Sequence, residues 1–595
     1  MSKILLSGNE AIARGAWEAG CDAGFGYPGT PSTETLESFS KLEGVYAEWA
    51  INEKVALESA IGFSMAGHRA LVTMKHVGVN VASDPLMSIA YAGVNGGLVI
   101  LAADDPGMFS SQNEQDSRVY AEFAKIPLFE PADSEEALEM TKAAFELSEK
   151  LKTIVMIRST VRISHTKTLV ETHDRQAAQP VPYQTSIPDW VMMPAYARPK
   201  RLESDKRFAE LEECSETSLF NHAEIRDTSI GFIASGACYQ YVREAFPEAS
   251  TLKLGMTHPL PESKIRAFAD SVDELYVVDE AYPYLLKGVR AFGIEPTPWT
   301  SPLPAAFEMS AMLLKESYGS PIEQNTTALE LQKQVAVPPR PPALCAGCPH
   351  RVAFNELKRM KAIVLGDIGC YTLGALAPLT TLESAIDMGA SVSMGHGFEV
   401  ARELESKAGV SQPTSNRPVF SIIGDSTFAH SGLSGVVSTV YNAGVGNIVI
   451  LDNRTTAMTG GQGNPISGKT LQGRQTNELD LPKVLKAIGV EDVVQVDAHN
   501  VKAVREALKA AANNKDKLSV VICQAPCVVE YRIHNTVRVV DAEACRGCGT
   551  CTRIGCPAIS MYDTNIAEIN DKLCNECSQC EQYCPFNAIH SKEGE

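Results

Sequence analysis

The sequence predicts a multidomain α/β protein closed by a small cysteine-rich α+β module, and three observations lead there. Short apolar runs recur between helical patterns and end in Gly or Asp clusters, as strands of parallel sheets buried on both faces do. Proline-rich stretches divide those runs into groups. Eight cysteines in a near-repeat then crowd the C-terminal end.

A chain of 595 residues implies several domains. Hydrophobic residues make up 44% and charged residues 21%, enough for large cores in an ordinary soluble protein. The net charge of −19 argues against nucleic acid or an anionic membrane as partner. Residues Met1 to Glu10 lack a basic-then-apolar leader pattern. The apolar stretch Met87 to Ala103 is broken by Asn95 and glycines, so it reads as helix, turn and strand rather than a membrane span. The expectation is a soluble cytoplasmic enzyme.

The first group of runs (Ala70 to Met74, Gly97 to Ala102, Thr153 to Ile157) makes residues 1–185 one parallel-sheet domain. Proline-rich and charged residues 186–219 read as a surface linker. Runs at Ser229 to Ala234 and Glu274 to Val278 place a smaller α/β domain over 220–337. Pro338, Pro339, Pro341 and Pro342 mark the next boundary. A second large domain over 338–533 has strands near Ile363 to Gly366, Val419 to Ile423, Asn447 to Leu451 and Ser519 to Cys523. Residues 534–595 hold the cysteine module.

In that module Cys545, Cys548 and Cys551 precede Cys556-Pro557, and Cys574, Cys577 and Cys580 precede Cys584-Pro585. Two interlocked C-x2-C-x2-C triads suit [4Fe-4S] clusters, each fourth cysteine reaching across to the other cluster. One cluster takes Cys545, Cys548, Cys551 and Cys584; the other takes Cys574, Cys577, Cys580 and Cys556. Zinc sites use pairs of pairs rather than interlocked triads. The extra residue in Thr552 to Gly555, against three residues before Cys584, has no explanation at this level. Such clusters imply one-electron chemistry in a reducing, anaerobic cytoplasm.

Gly424-Asp425-Ser426 follows one strand of the second large domain, and Asp452-Asn453 follows the next. Neighbouring parallel strands bring such loops together at the edge where ligands bind. Asp425 and Asn453 then offer oxygen ligands to magnesium, which binds through few protein groups and substrate phosphates. Gly424 allows close approach of a diphosphate, and helix N-terminal amides favour its charge.

Gly424-Asp425-Ser426 with Asn453 resembles the thiamine-diphosphate signature. The segments around Cys345-Ala346-Gly347-Cys348 and Gly366-Asp367-Ile368-Gly369-Cys370 resemble the 2-oxoacid:ferredoxin oxidoreductases. The resemblance runs along the whole chain and, with Cys-Ala-Gly-Cys-Pro-His and Ser-Gln-Asn-Glu-Gln-Asp, extends to large (alpha) subunits of the indolepyruvate type. It implies a pyrimidine-binding domain, a transketolase-C-terminal-like domain, a diphosphate domain and a ferredoxin module, in that order. Magnesium would be held by Asp425, Asn453 and the Thr455 carbonyl. A proximal [4Fe-4S] cluster would take Cys345, Cys348 and Cys370 with Cys527, for which Cys523 competes. Glu53 matches the glutamate that bonds the cofactor's pyrimidine ring. Thr30, in Tyr27-Pro28-Gly29-Thr30-Pro31-Ser32, matches the threonine that contacts the keto acid. Arg118 matches the arginine that pairs with its carboxylate; Lys75, His76 and Asn80 rank below it. The implied reaction converts an arylpyruvate such as indole-3-pyruvate, coenzyme A and two oxidised ferredoxins to the acyl-CoA, carbon dioxide and two reduced ferredoxins. A smaller beta subunit is implied, in a heterodimer or an α2β2 assembly. Two alternatives stay open: the same chemistry on another 2-oxoacid, and an electron-transfer subunit with a decayed thiamine site.

Overall fold

A computed structural model describes residues 2–183, 186–304, 306–320, 330, 341–409, 416–531, 533, 537–561 and 565–592. Pro338 and Pro339 of the proposed boundary lie outside them. The chain forms two compact units, Met1–Ala336 and Val337–Glu595.

The first unit is built on a seven-stranded sheet with strand order Met256–His258, Leu128–Phe129, Val155–Thr160, Leu98–Asp104, Ala70–Lys75, Ala23–Gly26 and Tyr46–Trp49. All pairings are parallel except the edge strand Met256–His258, which runs antiparallel to Leu128–Phe129. The central strands are buried along their full length, which explains their uninterrupted apolar runs. The edge strand comes from the 220–337 stretch, so that stretch completes this sheet as well as forming its own. Its own sheet places Asp227–Ser235 between Glu274–Val278 and Ala249–Leu254, with Asn221–Glu224 outside.

The stretch expected as a surface linker is more ordered than its composition suggests. Ahead of it, at the end of the 1–185 stretch, Lys167–Thr172 pairs with Ser2–Ser7. Pro194–Thr217 is a single helix with Pro199 inside it. Its charged surface hides a narrow seam in which Ser204, Leu211 and Ser215 are buried, and Ser215 donates to the Pro259 carbonyl (2.7 Å).

The second unit carries a six-stranded parallel sheet ordered Ser384–Ala385, Ile363–Gly366, Val419–Gly424, Gly446–Asp452, Leu518–Gln524 and Asp492–Asp497. The cysteine module adds two antiparallel pairs, Arg538–Val540 with Ile589–Ser591 and Ile559–Met561 with Ala567–Ile569.

The module is fastened by Arg351, almost fully buried near the start of the helix His350–Arg359. Its guanidinium donates to the carbonyls of Leu344 (2.9 Å), Cys345 (2.7 Å), Ile554 (3.2 Å) and Gly555. This accounts for the extra residue before Cys556. Thr552–Ile554 form a single 3-10 turn, and Gly555 at φ +75 closes it in a left-handed conformation that glycine tolerates. The turn presents two carbonyls to Arg351, whereas the matching position before Cys584 is the helix Gln579–Tyr583. Replacing Arg351 by methionine leaves four carbonyls without their donor. Leaving buried carbonyls unsatisfied in this way is expected to cost roughly 1–3 kcal/mol, read as a lower urea midpoint by circular dichroism.

Candidate active site

At the sheet edge of the first unit, Asn52 caps the helix Glu53–Met65 by accepting from the Val55 amide (2.9 Å), which places Glu53 in the first helical turn. Glu53 is only 6% exposed. It lies against the helix His76–Val81, where a Cβ on Gly78 would stand 2.5 Å from the Glu53 Cγ. Glycine at position 78 is therefore what lets the carboxylate sit there. Thr30 is half-buried in a loop braced on both sides. The Gly29 amide donates to Thr33 Oγ1 (2.9 Å), and Asn9 Nδ2 donates to the Pro31 carbonyl (2.8 Å). A Cβ on Gly29 would meet the Lys75 Cβ at 3.0 Å. Glu53, the Thr30 loop and Lys75-His76 thus gather at one edge.

Arg118 is placed differently from the expectation. It is 1% exposed, and its fork is taken by Asp116 (Nε to Oδ1 2.9 Å, Nη2 to Oδ2 2.5 Å). Nη1 reaches Asp279 (3.2 Å), and the guanidinium lies 5.0 Å over the Tyr284 ring. Arg158 binds Asp104 and Glu130 alongside it. The bidentate geometry assigned to a substrate carboxylate is spent inside the protein, joining the first sheet to the 220–337 stretch. The sequence shows both the fork-shaped donor and Asp116 two positions earlier, but not that the acid turns back to fill the fork.

In the second unit, Gly424 and Leu451 are paired across neighbouring parallel strands, so Asp425 and Asp452-Asn453 emerge side by side. Asp425 is 2% exposed; its Oδ1 accepts from the Ser426 amide (2.7 Å), and its buried Oδ2 has no hydrogen-bond partner among the described residues. Burial, followed by the charge of Asp452, raises Asp425 well above the usual carboxylate range; burial also raises Asp452. Two facing buried carboxylates with an orphaned oxygen fit a divalent cation. Arg454 takes φ +64, rare for a residue with a side chain. Its side chain turns out to Glu478 (2.8 Å), while Asp452, Asn453 and Thr455 stay buried around it. A Cβ on Gly424 would lie 2.7 Å from the Tyr371 ring, so only glycine fits at this strand end. Asp452 was passed over in the sequence because a strand-terminal Asp beside Asn453 reads equally well as a turn residue.

Beside this edge, burial and then the neighbouring Cys527 and Cys345 push Cys370 up to about 11. Cys348 is pushed up to about 12 by burial, with Cys370 and Cys345 adding to it. The Cys527 amide donates to the Asn453 carbonyl (3.0 Å). Burial alone shifts Cys523, so the four-cysteine neighbourhood contains Cys527. In the module, one cavity is lined by Cys545, Cys548, Cys551 and Cys584, and a second by Cys556, Cys574, Cys577 and Cys580. The second also touches Ala346 and Gly347, between the first two proximal cysteines. Among the described residues no three His, Cys, Asp or Glu side chains converge on a single metal ion. Four thiols around one cavity suit a [4Fe-4S] cluster.

Residues 14–223 match the family described as pyruvate flavodoxin/ferredoxin oxidoreductase, thiamine diP-binding. Residues 367–523 match the thiamine pyrophosphate enzyme C-terminal binding domain, and residues 567–590 match the 4Fe-4S binding domain. Fold, site and matches define a thiamine-diphosphate-dependent, iron–sulfur 2-oxoacid:ferredoxin oxidoreductase large subunit. The indolepyruvate oxidoreductase subunit IorA of Thermococcus kodakarensis is 38% identical, covering 100% of this chain and 98% of that protein. Those of Pyrococcus horikoshii (100% and 98% covered) and Archaeoglobus fulgidus (99% and 97%) are 37% identical. The chain belongs to this IorA family. No helix among the described residues is long and apolar enough to cross a membrane.

Proposed function

We propose that the chain is the catalytic large subunit of a cytoplasmic complex that oxidises arylpyruvates, indole-3-pyruvate first among them, to their coenzyme A thioesters. A smaller beta subunit completes the complex, and an external ferredoxin accepts the electrons. The observation that carries this reading is one chain holding a cation-ready diphosphate edge and, within the same unit, three cysteine sets. The relatives' printed substrate supports the choice of acid.

Asp425, Asn453 and the Thr455 carbonyl would hold magnesium, with Gly424 and Ser426 beside the diphosphate. When bound, thiamine diphosphate supplies the nucleophile and electron sink needed to cleave the bond between a keto carbon and its carboxylate. Glu53 holds a proton at the cofactor's pyrimidine ring, and Thr30 orients the keto acid. Asn453 bonds Cys527 through the backbone, so the magnesium edge and the proximal cysteines are mechanically one piece. The cavity of Cys556, Cys574, Cys577 and Cys580 comes next, and that of Cys545, Cys548, Cys551 and Cys584, with Cys548 exposed, opens outward. That order suits an outward path. The cluster cysteines also favour a reducing compartment.

The test is viologen reduction by the anaerobically purified holoenzyme with coenzyme A and a panel of indolepyruvate, phenylpyruvate, pyruvate and 2-oxoglutarate. The reading expects the highest kcat/KM with an arylpyruvate. A preference for pyruvate or 2-oxoglutarate overturns the substrate, and no viologen reduction with any acid overturns the activity.

A further inference from the structure

The reassignment of Arg118 leaves a 2-oxoacid carboxylate without a cation at the Glu53 edge. Arg118 and Arg158 are neutralised by Asp104, Asp116, Glu130 and Asp279. Lys75 differs from both. It ends the strand Ala70–Lys75 at the same edge, 7% exposed, with its side chain along Gly29 of the Thr30 loop. Its Nζ donates to the Ser110 carbonyl (2.6 Å), and among the described residues no carboxylate lies within ion-pair distance. Asp105, the acid whose field it feels, is already served by the Ser110 amide (2.9 Å), the Phe109 amide (3.3 Å) and the Ser111 hydroxyl. An ammonium has three donors, so two remain open.

The next residue repeats the pattern. His76 is 1% exposed; its Nε2 contacts the Asn113 carbonyl (3.2 Å), while its buried Nδ1 has no hydrogen-bond partner among the described residues. Buried polar groups are rarely left so. Two adjacent, incompletely satisfied groups between Glu53 and the Thr30 loop mark a place prepared for an anion. Burial lowers Lys75 to about 8, which an arriving carboxylate would reverse.

We propose that Lys75 pairs with the carboxylate of the 2-oxoacid substrate and so sets the enzyme's requirement for an acid. This deepens the proposed function and rests on it. Lysine serves here as a point charge and leaves the carboxylate able to depart, whereas a bidentate arginine fork would hold it.

The test uses holoenzyme carrying K75Q and K75R, with iron and thiamine contents measured first. For K75Q the KM for the preferred 2-oxoacid should rise roughly 10- to 100-fold, the value of one charged hydrogen bond, with a much smaller change in kcat. K75R should restore most of the KM but turn over more slowly, because its fork holds the carboxylate. Competitive inhibition by indole-3-lactate and by its amide gives a second readout: wild type should prefer the acid, K75Q should not, and K75R should. An unchanged KM in K75Q, or unchanged acid-over-amide preference, overturns the proposal; so does a fall in kcat alone. If K75Q does not fold, K75R decides, because loss of acid preference in a well-folded K75R also overturns it. If wild type oxidises a different 2-oxoacid, the substrate reading fails while the Lys75 test proceeds on that acid and its amide.

Discussion

Replacing Glu53 by glutamine is expected to lower kcat by roughly 10²- to 10⁴-fold, the range contributed by a positioned acid–base group. Iron content and thiamine diphosphate content should stay near wild type. Glutamine is nearly isosteric, so the contact between the Glu53 Cγ and Gly78 survives, and so does the Asn52 cap that orients the turn. What disappears is the ability to hold a proton at the pyrimidine ring. Alanine would be a poorer probe, because it would also open space against Gly78. Turnover of E53Q within a few fold of wild type would remove Glu53 from the chemistry and leave it as a buried first-turn acid. The complementary variant is Gly78→Ala. Its Cβ would collide with the Glu53 Cγ and carboxylate, so it should displace that group and reproduce much of the E53Q loss while the glutamate itself is retained.

The outcome for Glu53 bears on what the sequence could and could not show. The strands at Ala70–Lys75, Leu98–Asp104, Val419–Gly424 and Gly446–Asp452 were legible because buried parallel strands are continuous apolar runs. The C-terminal cysteine sets were legible because spacing fixes which thiols can share a cavity. By contrast, Met256–His258 was not foreseen: three residues carry no period, and an edge strand is defined by a partner more than a hundred positions away. The helix Pro194–Thr217 was obscured by Pro199 and by its charge; its buried side is too narrow to create an apolar stripe. Arg118 shows the deeper limit. A motif reveals that a guanidinium stands at a position, but whether its donors face a ligand or Asp116 is decided by χ angles that leave no trace in the sequence. Lys75 is the converse case, since its lack of a counter-ion among the described residues is a property of its surroundings alone.

Asp425→Asn should separate stability from function. Asparagine keeps the size of the side chain and an oxygen to accept from the Ser426 amide, but it removes the negative charge facing Asp452. In cofactor-free protein that charge is a burden: it is buried, its Oδ2 has no hydrogen-bond partner among the described residues, and a second buried carboxylate lies beside it. Relieving an unsatisfied buried polar group is worth roughly 1–3 kcal/mol, so cofactor-free D425N should melt at the same temperature as wild type or above it. Magnesium with thiamine diphosphate should reverse the ranking. A ligand that binds only the folded state stabilises in proportion to the logarithm of its concentration over Kd; wild type should gain several degrees, and D425N little or nothing. Turnover should fall with the bound cofactor. The two halves of the result depend on one another physically, because the repulsion that strains the empty edge is the attraction that holds the cation. A D425N protein that is less stable without ligands but still gains from magnesium and thiamine diphosphate would mean that Asp425 is a structural carboxylate, and the cation would have to be sought at other oxygens of this edge.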